Sequence, residues 1–186
     1  TVNTIWYSNK NLKKDGKPYN LNSDGLKVYT TVDSRMQRYA EEAVYGHVAK
    51  FLQPEFFKEK RRKRNAPFSD ALTARQVEQI MDRSVRQSGR YIEMKAAGAS
   101  EEEIRKAFRT PVEMSVFTYH GDIDTVMTPL DSIRYVKSFL RAGFMSMDPK
   151  TGEVKAYVGG LDYSHFMYDM VMNGRRQIGS TIKPFL

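Results

Sequence analysis

A short stretch near the end of the chain constrains its interpretation more than any other. Residues 179–184 read Gly-Ser-Thr-Ile-Lys-Pro, and they place Ser180 three positions before Lys183. Serine is a preferred helix cap, and residues three apart share one helix face, so the sequence predicts a helix start with both side chains together. A neutral amine in that position takes the hydroxyl proton and makes the oxygen a nucleophile towards a carbonyl. A simple capped helix with an exposed lysine fits the same tetrad.

The residues around this tetrad extend the pattern. Residues 176–185, Arg-Gln-x-Gly-Ser-x-x-Lys-Pro-Phe, closely resemble the active-serine motif of the penicillin-binding proteins. Residues 142–160 resemble the paired strands that precede the active serine in class A members. Residues 25–37 resemble the strand and helix that open their transpeptidase domain. The matches run in family order over most of the chain from Leu26 to Leu186.

The resemblance implies a peptidoglycan D,D-transpeptidase of the bacterial cell envelope, on the periplasmic side of the inner membrane. Ser180 would attack the D-alanyl-D-alanine end of a stem peptide, and Lys183 would act as its base. Stem peptides and glycan strands would be the substrates, and β-lactams would acylate Ser180. No metal or organic cofactor is implied. The class A likeness also implies a glycosyltransferase domain and a membrane anchor before Thr1.

Both ends of the sequence lead us to expect a piece of a longer protein. Thr1 is not an initiator methionine, and the sequence stops three residues after Lys183. In the family, a Ser-x-Asn and a Lys-Thr-Gly motif follow the active serine, so we expect this piece alone to be inactive. A Lys-Thr-Gly triplet does occur at 150–152, but it precedes Ser180 and follows Asp148-Pro149. Turn chemistry explains it, and we assign it no catalytic role.

Composition favours a globular domain and limits the alternatives. A chain of 186 residues with 40% hydrophobic residues can bury a substantial core. The absence of cysteine excludes disulfides and thiolate metal sites, and no run of about 18 apolar residues is present to span a bilayer.

The net charge of +8 is concentrated in the basic run at 58–64. Such a run fits an anionic membrane face or partner, or simply a solvated helix end. No aromatic residue interleaves it, so we expect no nucleic-acid binding. The alternative to an enzyme is a non-enzymatic basic helical module that binds a membrane surface or a partner protein.

Local patterns predict an α+β fold. We interpret residues 1–25 as a linker entering the domain, anchored by Trp6 and Tyr7, and residues 26–186 as the N-terminal part of the transpeptidase domain. Strands predicted at 26–31, 144–147 and 154–158 would form one small antiparallel sheet. The helices that begin after Asp33 and at Leu130 would cover it.

The remaining elements follow from periodicity and caps. The first helix has an apolar face predicted to be buried, with His47 as a packed histidine: Met36, Tyr39, Ala40, Ala43, Val44, His47, Val48 and Phe51. Residues of about 50–112 are predicted to form a helical insertion that projects from the sheet, with a break over 53–68. Two capping boxes begin its later helices, Thr73 with Gln76 and Ser100 with Glu103. A hairpin around 120–121 then leads to a helix that runs from Leu130 to about Ala142.

Overall fold

Helices outnumber strands along the chain. The structure is a computed structural model, and it describes residues 12–20 and 23–185. The α-helices are α1 (Ser34–His47), α2 (Gln53–Lys60), α3 (Ala74–Gln87), α4 (Gly89–Ala96), α5 (Glu101–Arg109) and α6 (Pro129–Lys137). The strands are β1 (Val112–Val116), β2 (Ile123–Met127), β3 (Phe144–Met147) and β4 (Val154–Val158), in two antiparallel pairs. The predicted α+β class is confirmed. No helix of the described residues is long and apolar enough to cross a bilayer.

The chain divides into two compact units, Thr1–Thr31 and Val32–Leu186. The described part of the first unit contains two hydrogen-bonded turns. Lys13 N donates to Lys17 O at 2.8 Å in one of them. In the other, Asp24 Oδ2 accepts from Asn20 N at 2.7 Å.

Residues 26–31 do not form the predicted strand. The structure assigns them no strand, and the side chains of Val28 and Tyr29 are 53% and 90% exposed. Alternating β-branched and aromatic residues favour an extended chain, but a strand needs a partner's ladder of hydrogen bonds. The β3–β4 sheet is therefore two-stranded, where we expected three strands. The predicted anchors Trp6 and Tyr7 lie outside the described residues.

The predicted pairing of β3 with β4 is confirmed, with Phe144 opposite Val158. The turn between them contains the Lys-Thr-Gly triplet. Asp148 Oδ1 accepts from the N–H groups of Lys150 and Thr151 at 2.8 and 3.1 Å, and Gly152 has a φ of +73°. This is turn geometry, as the sequence predicts.

Helix α1 packs on β4, but with a narrower face than the periodicity predicts. It begins at Asp33, whose side chain accepts from the N–H groups of Arg35 and Met36, so the predicted cap is confirmed. Ala40 is buried against β4, and Val44 packs beside it. The other predicted face residues, apart from the buried Val48, are exposed: Met36, Tyr39, Ala43, His47 and Phe51. A two-stranded sheet covers only an i, i+4 stripe of the helix, so the packed role predicted for His47 is wrong.

The helical structure after α1 continues to Lys60, although the sequence predicts a break from residue 53. A π-helical turn, Val48–Leu52, leads directly into α2, which has Pro54 in its first turn. Gln53 is 1% exposed. Its Nε2 donates to Ser138 O at 2.9 Å, and its Oε1 accepts from Leu140 N at 2.8 Å.

Gln53 explains why α6 ends at Lys137 and not at the predicted Ala142. In a continued helix, Leu140 N would donate to Val136 O and Ser138 O would accept from Ala142 N. The Gln53 side chain takes both backbone groups instead. A contact distant in sequence therefore overrides the local helical pattern.

The helical block packs against α6 and does not project from a sheet as predicted. Both capping boxes are confirmed, at Thr73 with Gln76 and at Ser100 with Glu103. Helices α3 and α5 both contact α6. The buried side chains of these two helices are apolar: Val77, Met81, Ile104 and Phe108. Helix α6 thus packs on these helices, where we expected it to cover the β3–β4 sheet.

An aromatic cluster forms a further core. The Phe117 ring lies 5.1 Å from the Phe139 ring and 5.0 Å from the Phe166 ring, both edge-on. The predicted hairpin of β1 and β2 is confirmed, and Phe117 directly follows β1. The cluster joins the hairpin, the end of α6 and the loop after β4.

Candidate functional site

The predicted nucleophile and base lie on one short helix. A 3-10 helix spans Gly179–Phe185, and Gly179 enters it with a φ of +54°, which glycine adopts without strain. The predicted element was an α-helix capped by Ser180. Residues three apart eclipse each other in 3-10 geometry, so Ser180 and Lys183 still share one side. The helix therefore carries the hydroxyl and the amine on one side, and both are exposed.

The loop between β4 and this helix is fixed by Asp169. Tyr157 Oη on β4 donates to Asp169 Oδ2 at 2.6 Å, and Oδ1 accepts from Val171 N and Met172 N at 2.9 and 3.0 Å. These hydrogen bonds, led by that from Tyr157, lower the pKa of Asp169. Burial, followed by the bond to Asp169, raises the pKa of Tyr157 to about 12. The ionised Asp169 carboxylate and the protonated Tyr157 phenol are therefore both favoured, and the bond between them holds the loop on the sheet.

Glycine lets this loop approach β4 closely. A Cβ on Gly159 would lie 3.1 to 3.2 Å from the Asp169 carboxyl group. Met170 N donates to Gly159 O at 2.7 Å. Gly159 directly follows the strand that the sequence predicts at 154–158. Its position beside an aspartate that accepts backbone bonds was not predicted, because the contact spans ten residues.

A cleft of about 670 Å³ lies between α1 and this loop. Its lining is mostly aromatic and apolar, and it includes Tyr45, Tyr157, Val158, Phe166 and Tyr168. Helix α1 contributes two carboxylates to the lining, Glu41 and Glu42. Ser180 and Lys183 are not part of the lining among the described residues. The predicted catalytic pair and the cleft are therefore separate features of this structure.

A second group that sequence reasoning missed surrounds His165. Its Nε2 lies 3.1 Å from Asp122 Oδ2, and its Nδ1 lies 3.3 Å from Asp162 Oδ1. Burial opposes the charged imidazole, but the hydrogen bonds to Asp162 and Asp122 outweigh it and raise the pKa of His165. The i, i+3 spacing of Asp162 and His165 is a local signal for one contact. Nothing local indicates Asp122. Within residues 12–20 and 23–185, no three acidic or histidine side chains converge to hold a metal.

Comparison with known proteins finds similarity to the penicillin-binding proteins. The sequence model of the penicillin-binding protein middle domain matches residues 63–140. Penicillin-binding protein 1A of Aquifex aeolicus (strain VF5) is 24% identical over 168 residues, which cover 87% of this chain and 22% of that protein. The chain is similar to this protein over most of its own length. Penicillin-binding protein 1A of Neisseria flavescens is 27% identical over 88% of this chain and 23% of its own length.

Another penicillin-binding protein matches a shorter stretch of the chain at higher sequence identity. Penicillin-binding protein 2D of Bacillus subtilis (strain 168) is 47% identical over 49 residues, or 26% of this chain and 7% of that protein. No solved structure matches the chain. The chain spans less than a quarter of the length of these relatives. The middle-domain match begins within the basic run at 58–64 and covers most of the helical block.

Proposed function

We propose that the protein containing this chain is a peptidoglycan D,D-transpeptidase that acts through a serine acyl-enzyme. The observation that carries the proposal is the position of Ser180 and Lys183 on one side of a short helix, with both side chains exposed. The relationship to proteins named penicillin-binding protein 1A supports it. Residues 26–186 would form the N-terminal part of the transpeptidase domain, with an insertion at about 50–112.

The proposed reaction uses this pair directly. Lys183, as the neutral amine, takes the proton of the Ser180 hydroxyl while Oγ attacks the carbonyl carbon of the D-alanyl-D-alanine bond. The terminal D-alanine leaves as the amine and takes up that proton. An amine of a neighbouring stem peptide then attacks the serine ester and restores the Ser180 hydroxyl. A β-lactam follows the first step only, because its ring-opened acyl group stays on Ser180.

The wider setting of the protein is part of the same proposal. Cross-linking stem peptides places the protein in the bacterial cell envelope, on the periplasmic side of the inner membrane. The class A relationship favours a glycosyltransferase domain acting on glycan strands and a membrane anchor elsewhere in the full-length protein. The reaction needs no metal or organic cofactor, since hydroxyl, amine and backbone donors supply its chemistry.

Covalent labelling of the full-length protein with a fluorescent penicillin tests this proposal. Ser180→Ala should abolish labelling, and Lys183→Ala should slow it by about two to four orders of magnitude, the range of general-base catalysis. Ser115→Ala and Lys150→Ala are matched controls, because both residues are exposed and lie on β1 and in the Lys-Thr-Gly turn. They should label at the normal rate. Labelling of Ser180→Ala at the normal rate would exclude Ser180 as the nucleophile.

A further inference from the structure

A groove with apolar walls and cationic side chains lies where α2, the turns after it, the end of β2 and α6 meet. Its volume is about 540 Å³. The apolar part of the lining is mainly aromatic: Phe56, Phe57, Met127 and Tyr135. The charged part is mainly cationic: Lys60, Arg61, Lys63 and Arg134. We call this feature the basic groove.

The structure leaves part of this positive charge without a counter-charge. Asp131 is the one carboxylate among the described lining residues, and its Oδ2 accepts a hydrogen bond from Thr128 Oγ1 at 2.6 Å. Lys63 pairs with Asp70 at 3.0 Å. Over residues 12–20 and 23–185, no carboxylate forms an ion pair with Arg61 or Arg134. These two arginines are the free cations of the groove.

Lys60 and Arg134 are held in place by contacts within the groove. Lys60 Nζ lies 5.4 Å from the centre of the Phe56 ring, and the Lys60 side chain is only 18% exposed. Arg134 Nη1 donates to Ala66 O at 3.4 Å, which ties α6 to the turns after α2. Because these side chains are already held in place in the free protein, binding a ligand would cost less side-chain conformational entropy.

Backbone hydrogen bonds also order the turns that form one wall. Lys63 N donates to Lys60 O at 3.0 Å, and Phe68 N donates to Asn65 O at 2.8 Å. Asn65 Nδ2 donates to Leu72 O at 2.7 Å. The groove is therefore a formed surface, with its charge on ordered elements.

We propose that the basic groove binds an acidic peptide segment of a partner protein. A carboxylate of that segment lies against Arg61 and Arg134, and a neighbouring apolar side chain lies on the wall formed by Phe56 and Phe57. A guanidinium has five donors in a planar fork that matches a carboxylate, and the bond to Ala66 O occupies one donor of Arg134. The proposal does not depend on the activity of Ser180.

Shape favours a peptide over an anionic bilayer as the occupant. A bilayer attracts basic residues on an accessible face and takes up apolar side chains that project from it. Here the apolar side chains line a concavity, and Phe56 and Tyr135 in it are half-buried. A volume of about 540 Å³ lies within the ordinary range of ligand pockets, about 300–1,000 Å³. A single aromatic or aliphatic anchor flanked by carboxylates fits this combination.

Fluorescence anisotropy on the full-length protein tests the proposal. The probe is the peptide Glu-Asp-Phe-Glu-Asp-Leu amide with fluorescein on its N-terminal amine, and the reference peptide carries the same label and replaces each acid by its amide. The acidic probe should bind saturably and the reference should not. Arg61→Gln with Arg134→Gln should weaken binding about tenfold or more, and Phe56→Ala should weaken it at unchanged charge. Circular dichroism checks that each variant is folded.

The matched control removes the same charge elsewhere. Arg83→Gln with Arg90→Gln changes two exposed arginines on α3 and α4 that do not line the groove. This pair should leave the affinity for the probe within about twofold. Equal weakening by both pairs, or no binding of the acidic probe, would overturn the proposal. Binding to phosphatidylglycerol vesicles that requires Arg61 and Arg134, with none to the peptide, would overturn it in favour of a lipid surface.

Discussion

His165 joins two segments that are far apart in sequence. It lies in the loop after β4, and Asp122, one of its two carboxylate partners, lies in the turn between β1 and β2. Its ring also packs 5.0 Å from that of Phe117 in the aromatic cluster. The two carboxylates raise the pKa of His165 above the ordinary 6.5, although burial opposes this. The charged imidazole therefore ties the hairpin to the loop.

The contact of His165 with its two carboxylates predicts how the stability of the fold depends on pH. Because the pKa is raised by folding, the charged His165 stabilises the fold fully below its unfolded pKa of about 6.5. That stabilisation is lost as the pH rises through the folded-state pKa. The difference in unfolding temperature between the protein and His165→Asn should therefore be largest below about pH 6.5 and narrow as the pH rises above it. A difference that stays constant would contradict the assignment.

A control distinguishes the effect of the Asp122–His165 ion pair from that of removing any nearby negative charge. Asp122→Asn should lower the pKa of His165, measured by NMR on histidine-labelled protein. The His165 resonance is identified by its absence in His165→Asn. Asp124→Asn removes the same charge on β2, and Asp124 forms no ion pair with His165 among the described residues. It should leave the His165 titration unchanged.

At the scale of elements, the sequence predicted what local interactions decide. The caps at Asp33, Thr73 and Ser100 depend on residues within one helical turn, and all three are confirmed. The β3–β4 pairing depends on a short turn and is also confirmed. The strand at 26–31 and the buried face of α1 depend on what each element packs against. The periodicity shows a wide apolar arc on α1, but not how much of it a partner covers.

Gln53 gives an element-scale prediction. Gln53→Leu keeps the volume of the side chain but leaves Ser138 O and Leu140 N without the bonds they make at 2.9 and 2.8 Å. Each unsatisfied buried group costs about 1–3 kcal/mol of stability. We expect faster amide exchange in residues 136–142, followed by hydrogen-exchange mass spectrometry, and a lower unfolding temperature. Gln87→Leu, at an exposed position of α3, is the control and should change little. Unchanged exchange at Leu140 would show that Gln53 does not fix the end of α6.

At the scale of the molecule, the candidate site was only partly predictable. The shared side of Ser180 and Lys183 follows from spacing alone and holds in 3-10 geometry as in an α-helix. The loop that leads to it is fixed by Tyr157 and Asp169, which meet across twelve residues. The cleft between α1 and that loop depends on tertiary packing. Neither the Tyr157–Asp169 bond nor the cleft can be predicted from the residue pattern of a single element.

The exposure of Ser180 and Lys183 leads to the last prediction, which concerns the 186-residue chain by itself. A lysine acts as a base only after losing its proton, and burial favours the neutral form. Both side chains are exposed, so the described residues do not enclose the amine. The resemblance also implies that one oxyanion donor comes from a Lys-Thr-Gly strand after the active serine, and each such donor contributes about 3 kcal/mol to the transition state. We therefore expect the purified chain to form no stoichiometric adduct with excess fluorescent penicillin, as measured by intact-mass spectrometry, under conditions where the full-length protein is acylated. An adduct on Ser180 within minutes would mean that the short helix suffices, and that enclosure of the pair is not required.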